Sequence, residues 1–263
     1  MASGLVTRAA SAVVLAVPVL AIVHFGSPLF GLLILVASGI MAMEWYGMCA
    51  RQGPRLAGLV MAAMVLAAVA AMGLEEPLIA LVLLVVGSIV VMALNKGTPW
   101  LAAGVLYIGL PSVALIALRD DPEAGRQTVY WLLGVVWASD IGAYITGRTI
   151  GGPKLAPRIS PGKTWAGFWG GVACAGLVGV IVAAVLGMAE LWPLALFSCT
   201  LGAIAQGGDL FESWIKRRFG VKDSGNLIPG HGGLLDRVDA LIAVIVVTAT
   251  ISTLTKGSIL QWL

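Results

Sequence analysis

Long apolar runs separated by short polar breaks make up most of the 263-residue chain. A helix needs about 20 apolar residues to cross a bilayer core. Nine stretches reach or approach that length: 9–25, 28–49, 56–73, 77–95, 99–118, 128–148, 165–188, 191–211 and 237–256. They are continuous, unlike the short alternating strands of a membrane barrel. The pattern predicts an all-α polytopic membrane protein of about nine transmembrane helices. The first run has Arg8 ahead of it, as a signal peptide would, but Pro18 interrupts it and no small-residue cleavage site follows, so it reads as a helix. Most breaks are a few residues long. Two are long and polar, 149–164 and 212–236.

Composition agrees with this reading. Hydrophobic residues make up 59% of the chain and charged residues 11%, where soluble domains have about 25% charged. Mean hydropathy is +0.99. A soluble protein of this size has too little polar surface to cover such a composition. Disordered chains are poor in apolar residues, and the 34 glycines have no collagen period. The three cysteines, Cys49, Cys174 and Cys199, are dispersed in apolar runs and read as small packing residues, not a disulfide or zinc framework.

Nine spans place both long loops on one side of the membrane. Arg8, Arg51, Arg55, Lys96, Arg148, Lys154, Arg158, Lys163, Lys216, Arg217, Arg218, Lys222 and Arg237 then share that side, thirteen of the 16 Lys and Arg. Arg119, Arg126 and Lys256 fall on the other. The positive-inside rule makes the crowded side cytoplasmic. By content the chain divides into 1–127, about five apolar spans with short turns, and 128–263, about four spans with the two polar loops and nearly all the groups suited to chemistry. In the seventh span Gly167, Gly171, Ala175, Gly179, Ala183 and Gly187 recur every four residues. Small residues at that spacing let a second helix approach closely. Four exceeds 3.6, so the stripe winds around the helix, which favours packing within the chain over a homodimer seam.

The polar segment 206–239 carries Asp209, Glu212, Lys216, Arg217, Arg218, Lys222, Asp223, Asp236, Arg237 and Asp239. If the eighth helix continues beyond the membrane, Asp209, Ser213, Lys216 and Arg217 share one face. Asp236 and Asp239, three apart at the start of the ninth, share another. Gly232 and Gly233 follow His231 in a loop suited to close approach by an anion. Carboxylates hold hard divalent ions such as Mg²⁺, which bridge to substrate phosphates, while Lys and Arg neutralise phosphate oxygens. The combination points to phosphoryl or nucleotidyl transfer. Solvated flanking charges at 216–218, a surface pair at Lys222 and Asp223 and a turn role for His231 are the simpler alternatives. A second segment agrees with the first. Asp140, Tyr144 and Arg148 lie near the cytoplasmic end of the sixth span, where a buried acid is costly without a partner or a role. Ser160, Lys163 and Thr164 precede the seventh span and suit phosphate binding at a helix N-terminus. This is no Walker A loop, because Pro157 stands where the first glycine belongs. A transporter with Asp140 and Asp209 on an ion path is the competing class. Nothing points to nucleic acid as a partner.

Residues 213–239 resemble the signature of the phosphatidate cytidylyltransferase, or CDP-diacylglycerol synthase, family. The matching residues are Ser213, Lys216 and Arg217, then Lys222-Asp223, then Leu227-Ile228-Pro229-x-His231-Gly232-Gly233, then Asp236-Arg237-x-Asp239. Gly208-Asp209-Leu210, Ser160-Pro161-x-Lys163-Thr164-Trp165 and Asp140-x-x-Ala143-Tyr144-x-x-Gly147-Arg148 are also similar to it. Two positions depart: Ala166 stands where Glu is common and Gly162 where Lys is common. The resemblance implies that CTP and phosphatidic acid give CDP-diacylglycerol and pyrophosphate. The sorting of Lys and Arg makes the site face the cytoplasm, and a compact chain without a targeting extension suggests a prokaryotic inner membrane. The resemblance also implies that Asp209 and Asp236, with Asp239, hold Mg²⁺, with or without a second cation. Asp209, Lys216, Arg217, Lys222, Asp236 and Arg237 would form the catalytic set. Ser160, Lys163, Thr164, Ser213, Asp223, His231, Gly232, Gly233, Asp140 and Arg148 would contact substrate. A CTP-dependent polyprenol or phytol kinase is the enzyme alternative.

Overall fold

In hydrocarbon every backbone N–H and C=O must bond within the chain, and a helix achieves this locally even through Val- and Ile-rich runs. The computed structural model, which describes residues 16–49, 54–95, 99–227 and 232–262, is accordingly built of helices. They are α1 (Ala16–Phe25), then α2 (Leu29–Cys49), α3 (Arg55–Gly73), α4 (Pro77–Leu94), α5 (Pro99–Arg119), α6 (Gly125–Thr149), α7 (Trp165–Val185), α8 (Trp192–Arg218), α9 (Leu235–Thr255) and α10 (Ile259–Trp262). Eight of them, α2 to α9, are long and apolar enough to span a membrane. The chain is an integral membrane protein. Residues 9–15 of the expected first span lie outside the described residues, and its described part, α1, is a short apolar helix.

Two expectations for the polar breaks need correction. The break at 212–236 is not all loop: α8 runs on to Arg218, because the helix ladder does not stop where apolarity does and Glu212 and Lys216 pair along it. The break at 149–164 holds a small antiparallel hairpin, β1 (Lys154–Ala156) with β2 (Ser160–Thr164), in which Lys154 opposes Thr164 and Ala156 opposes Ser160. Among the described residues the fold is therefore helical with this one hairpin.

The chain forms two compact units. The first comprises residues 1–121 with Asp223–Arg237, and the second Pro122–Lys222 with Val238–Leu263. The division expected at 127/128 was drawn by chemical content, whereas this one follows packing, and it groups Asp223–Arg237 with the N-terminal helices.

In the first unit α4 shows how an all-round apolar helix packs. Pro77 opens it, its missing N–H being no loss at a first-turn position. Ala80, Leu84, Gly87 and Val91 are buried along one narrow stripe, while Leu78, Val82, Val85 and Ile89 are exposed, as suits a face against lipid. Trp45 of α2 is buried against Gly104 of α5 and donates its indole N–H to the Trp100 carbonyl at 2.8 Å. At the end of α5, Arg119 donates to the Val23 carbonyl at 2.7 Å and the His24 carbonyl at 3.2 Å, both in the last turn of α1. Beside it Ser27 donates to Asp120 at 2.8 Å.

In the second unit α7 packs between α6 and α8. Gly167 lies against the Ala143 carbonyl of α6, and Gly171 against Ser139 of α6 and Gln206 of α8. Ala175 then meets Gly202, and Gly179 meets Leu194 and Ser198, all on α8. The small-residue stripe thus turns from one neighbour to the other as it climbs. Trp131 of α6, buried, donates to Ser198 Oγ at 2.9 Å.

Candidate active site

The second unit gathers one group of polar side chains around the middle and end of α8. Close approach of two helices makes this group. A side chain at Gly208 would fall 2.9 Å from the Asp239 carbonyl oxygen and 2.8 Å from Ala243 Cβ, so α8 and α9 touch here. Asp209 and Asp239 follow from that contact. Asp209, Glu212 and Lys216 act electrostatically on Asp239. Glu212 is buried completely and pairs with Lys216 Nζ at 3.2 Å. Asp209 is half-buried. Its Oδ2 lies 2.7 Å from Lys163 Nζ of the hairpin, and its Oδ1 accepts from Ser213 Oγ at 3.3 Å.

The hairpin positions Lys163. Its far end joins α7 through Trp165 N–H to the Pro153 carbonyl at 3.0 Å. Thr164, buried, caps α7 by accepting from Gly167 N–H at 3.1 Å, so its hydroxyl oxygen serves the helix terminus. Arg217 donates to the Ile159 carbonyl at 3.4 Å and the Val221 carbonyl at 3.1 Å, fastening the hairpin and the end of α8. Ser160 is half-buried in β2. Arg148 is exposed and donates to Tyr144 Oη at 2.7 Å, while Asp140, exposed too, lies two turns before Arg148 on α6. Lys222 is exposed at the end of the unit.

The first unit holds the remainder. One oxygen of Asp236, Oδ2, accepts from Ser224 N–H at 2.9 Å, Gly233 N–H at 2.8 Å and Ser224 Oγ at 3.0 Å. Gly232 has φ +82°, and a Cβ there would lie 2.7 Å from that oxygen. A side chain at Gly233 would overlap Ser224 and Glu44. These glycines therefore give the carboxylates room as much as they shape a turn. Asp223 and Arg237 are exposed. His231 lies outside the described residues.

Residues 6–255 match the profile of the Cytidylyltransferase family. The chain belongs to this family. Over 149 residues it is 50% identical to the phosphatidate cytidylyltransferase of Brucella suis biovar 1 (strain 1330), covering 57% of this chain and 55% of that protein. Over 150 residues it is 43% identical to the phosphatidate cytidylyltransferase of Rickettsia bellii (strain RML369-C), covering 54% of this chain and 64% of that protein. The chain thus spans about half the length of the Brucella relative it matches.

Two features escaped the sequence reading. One is the Lys163–Asp209 pair, whose partners are 46 residues apart on different elements. The other is Glu44, which accepts from Leu234 N–H and Leu235 N–H, each at 2.8 Å, and lies 3.3 Å from Ser224 Oγ. A single carboxylate inside an otherwise uncharged helix was the available signal, since such a group needs partners.

Among the described residues no three His, Cys, Asp or Glu side chains form a group arranged to hold a metal ion by themselves. Mg²⁺ takes one or two carboxylates plus substrate phosphates and water and does not need an all-protein cage. Asp209 fits, with a half-buried carboxylate of hard oxygens beside a second acid, Asp239.

Proposed function

We propose that this chain is a membrane-embedded nucleotidyltransferase that makes CDP-diacylglycerol and pyrophosphate from CTP and phosphatidic acid. The observation that carries the reading is the Lys163–Asp209 ion pair next to Asp239, in a chain of the cytidylyltransferase family. A cation and a carboxylate held together at a half-buried helix position are what a metal-bound triphosphate requires.

The phosphate monoester of the lipid is largely dianionic near neutral pH, its second pKa being about 6. It is a nucleophile without help from a general base. One of its oxygens bonds to the α-phosphorus of CTP as the bond from that phosphorus to the bridging oxygen breaks. The electron pair leaves with pyrophosphate. Asp209, with Asp236 or Asp239, which lie one turn apart on α9, would supply one or two carboxylates to Mg²⁺ alongside the substrate phosphates. When bound, the ion neutralises charge on the triphosphate and the departing pyrophosphate. Lys163, exchanging its contact with Asp209 for a phosphate, would orient the nucleotide. Lys216, Arg217, Lys222 and Arg237 would offset the charge that builds on the leaving group. Ser160, Thr164 and Ser213 would donate hydroxyl hydrogen bonds. Asp140, Arg148, Asp223, His231, Gly232 and Gly233 complete the proposed substrate contacts.

Thirteen of the 16 Lys and Arg share one side in the nine-span reading, which supports a site facing the cytoplasm. The bacterial relatives support a bacterial inner membrane. Membrane lipid would deliver phosphatidic acid laterally. The test uses detergent-purified protein with phosphatidic acid, Mg²⁺ and CTP labelled separately at the α and γ phosphates. Label moving from α into lipid with release of pyrophosphate is the expected result. Label moving from γ would make the protein a lipid kinase. No transfer together with no CTP binding would return the transporter reading.

A further inference from the structure

α2 carries one charged residue, Glu44, and that residue is buried. Both its oxygens are engaged by the segment that leads into α9. Oε1 accepts from Leu234 N–H and Oε2 from Leu235 N–H, each at 2.8 Å. Leu235 opens α9, so these amides belong to a helix start, where N–H groups have no intrahelical partner and the helix dipole favours a negative charge. Ser224 Oγ lies 3.3 Å from Glu44 Oε2 and 3.0 Å from Asp236 Oδ2. A hydroxyl has one proton to give, so Ser224 shares it between the two carboxylates. Space around the pair is closed. A Cβ at Gly225 would lie 2.9 Å from Glu44 Oε1, and one at Gly233 would lie 2.7 Å from the same atom.

We propose that Glu44 is a positioning residue for nucleotidyl transfer: it clamps the start of α9 through Leu234 and Leu235 and, through Ser224, fixes the direction of the Asp236 carboxylate. The inference rests on the reading above in assigning Asp236 to the reaction; the clamp itself does not. The chemistry demands a carboxylate. Glutamine would keep one acceptor but turn an NH₂ toward a backbone N–H, donor against donor. Aspartate keeps both acceptors on a stem one methylene shorter.

The experiment compares the full-length wild type with E44Q, E44D and S224A in detergent. Hydrogen exchange over residues 224–237 reads the clamp without reference to activity. Steady-state kinetics with Mg²⁺ titration read its consequence. In E44Q, exchange in this segment should rise by about 10-fold or more, the scale of losing a hydrogen bond to a charged group. Protection of α3 and α4 should stay as in the wild type. Turnover should fall by roughly 10²-fold, as for a reacting group displaced by about 1 Å. Half-saturating Mg²⁺ should rise, while KM for phosphatidic acid stays unchanged. E44D should recover part of both effects. S224A, which leaves the two amide contacts in place, should shift the Mg²⁺ requirement while barely altering exchange at 234 and 235. Wild-type exchange in E44Q overturns the clamp. Wild-type turnover and Mg²⁺ requirement in E44Q, in a preparation whose wild type is active, overturns the positioning role alone. If E44Q does not accumulate, S224A decides, and a wild-type Mg²⁺ profile there overturns the proposal. A wild type that transfers no CMP removes the catalytic half along with the reading it rests on, and leaves exchange to judge the clamp.

Discussion

Substitution of Gly179 tests how closely α7 packs against α8. A Cβ built there would lie 2.6 Å from the Leu194 carbonyl oxygen and 2.8 Å from Ala195 Cα, both backbone atoms that no rotamer change can move. Ordinary contact needs about 3.5 Å, so Gly179→Ala forces the two helices apart by roughly 0.5–1 Å. A gap of that size forfeits about a quarter to a half of the attraction at each neighbouring contact. Overpacking of this kind costs about 1–3 kcal/mol, which lowers the melting temperature by roughly 3–10 °C for a domain of this size. Gly207→Ala is the comparison, made on α8 at a position where an added Cβ meets nothing within 4 Å. There the helix gains about 0.5–1 kcal/mol from replacing glycine by alanine, and melting should rise by a few degrees. The free thiols of Cys174 and Cys199, half-buried on α7 and α8, provide the assay. A maleimide dye that fluoresces on reaction reports the temperature at which those helices separate. The expected result is opposite shifts for the two variants. Melting of G179A at or above the wild-type temperature would refute the packing argument.

Three more predictions concern the site and its supports. Thr164→Ala removes the cap from α7 and should cost about 1 kcal/mol, read as a lower melting temperature; Thr164→Ser should restore it. Asp209→Asn removes both the partner of Lys163 and a proposed ligand, and turnover of α-labelled CTP should fall on the order of 10²-fold or more; unchanged turnover would end the assignment of that carboxylate. Asp236→Ala should lower turnover and raise the half-saturating Mg²⁺ concentration, and wild-type rate with wild-type Mg²⁺ response would sink its place among the ligands.

The membrane helices were legible because apolar length is a local property. The predicted span 28–49 became Leu29–Cys49, and 77–95 became Pro77–Leu94, the proline marking the start in sequence as it does in structure. The end of α8 was not legible from apolarity, which stops near 211, since Glu212 and Lys216 carry the helix on by pairing with each other. The hairpin at 154–164 carries Pro157, Pro161 and Gly162, so it has no strand alternation to read. Its pairing is held by register and by the contacts of Lys163 and Arg217. In the site, residue types were readable and partnerships were not. Asp236 stood out as a signature acid, but that Ser224 and Gly233 would enclose one of its oxygens depends on how the loop closes. Glu44 stood nearly two hundred residues from the amides it binds.

The arginine at the end of α5 has a consequence for the order in which the protein is made. The last turn of any helix leaves carbonyls without partners. In α1 two of these, from Val23 and His24, are satisfied by the guanidinium of Arg119, some 95 residues later in the chain. A ribosome adding about 5–20 residues per second therefore presents α1 several seconds before its cap exists. Throughout that interval α2, α3 and α4 emerge while α1 still lacks this fastening. α1 is thus synthesised well before the helix that secures it, so nascent chains halted before residue 119 should leave it open to protease and longer ones should protect it.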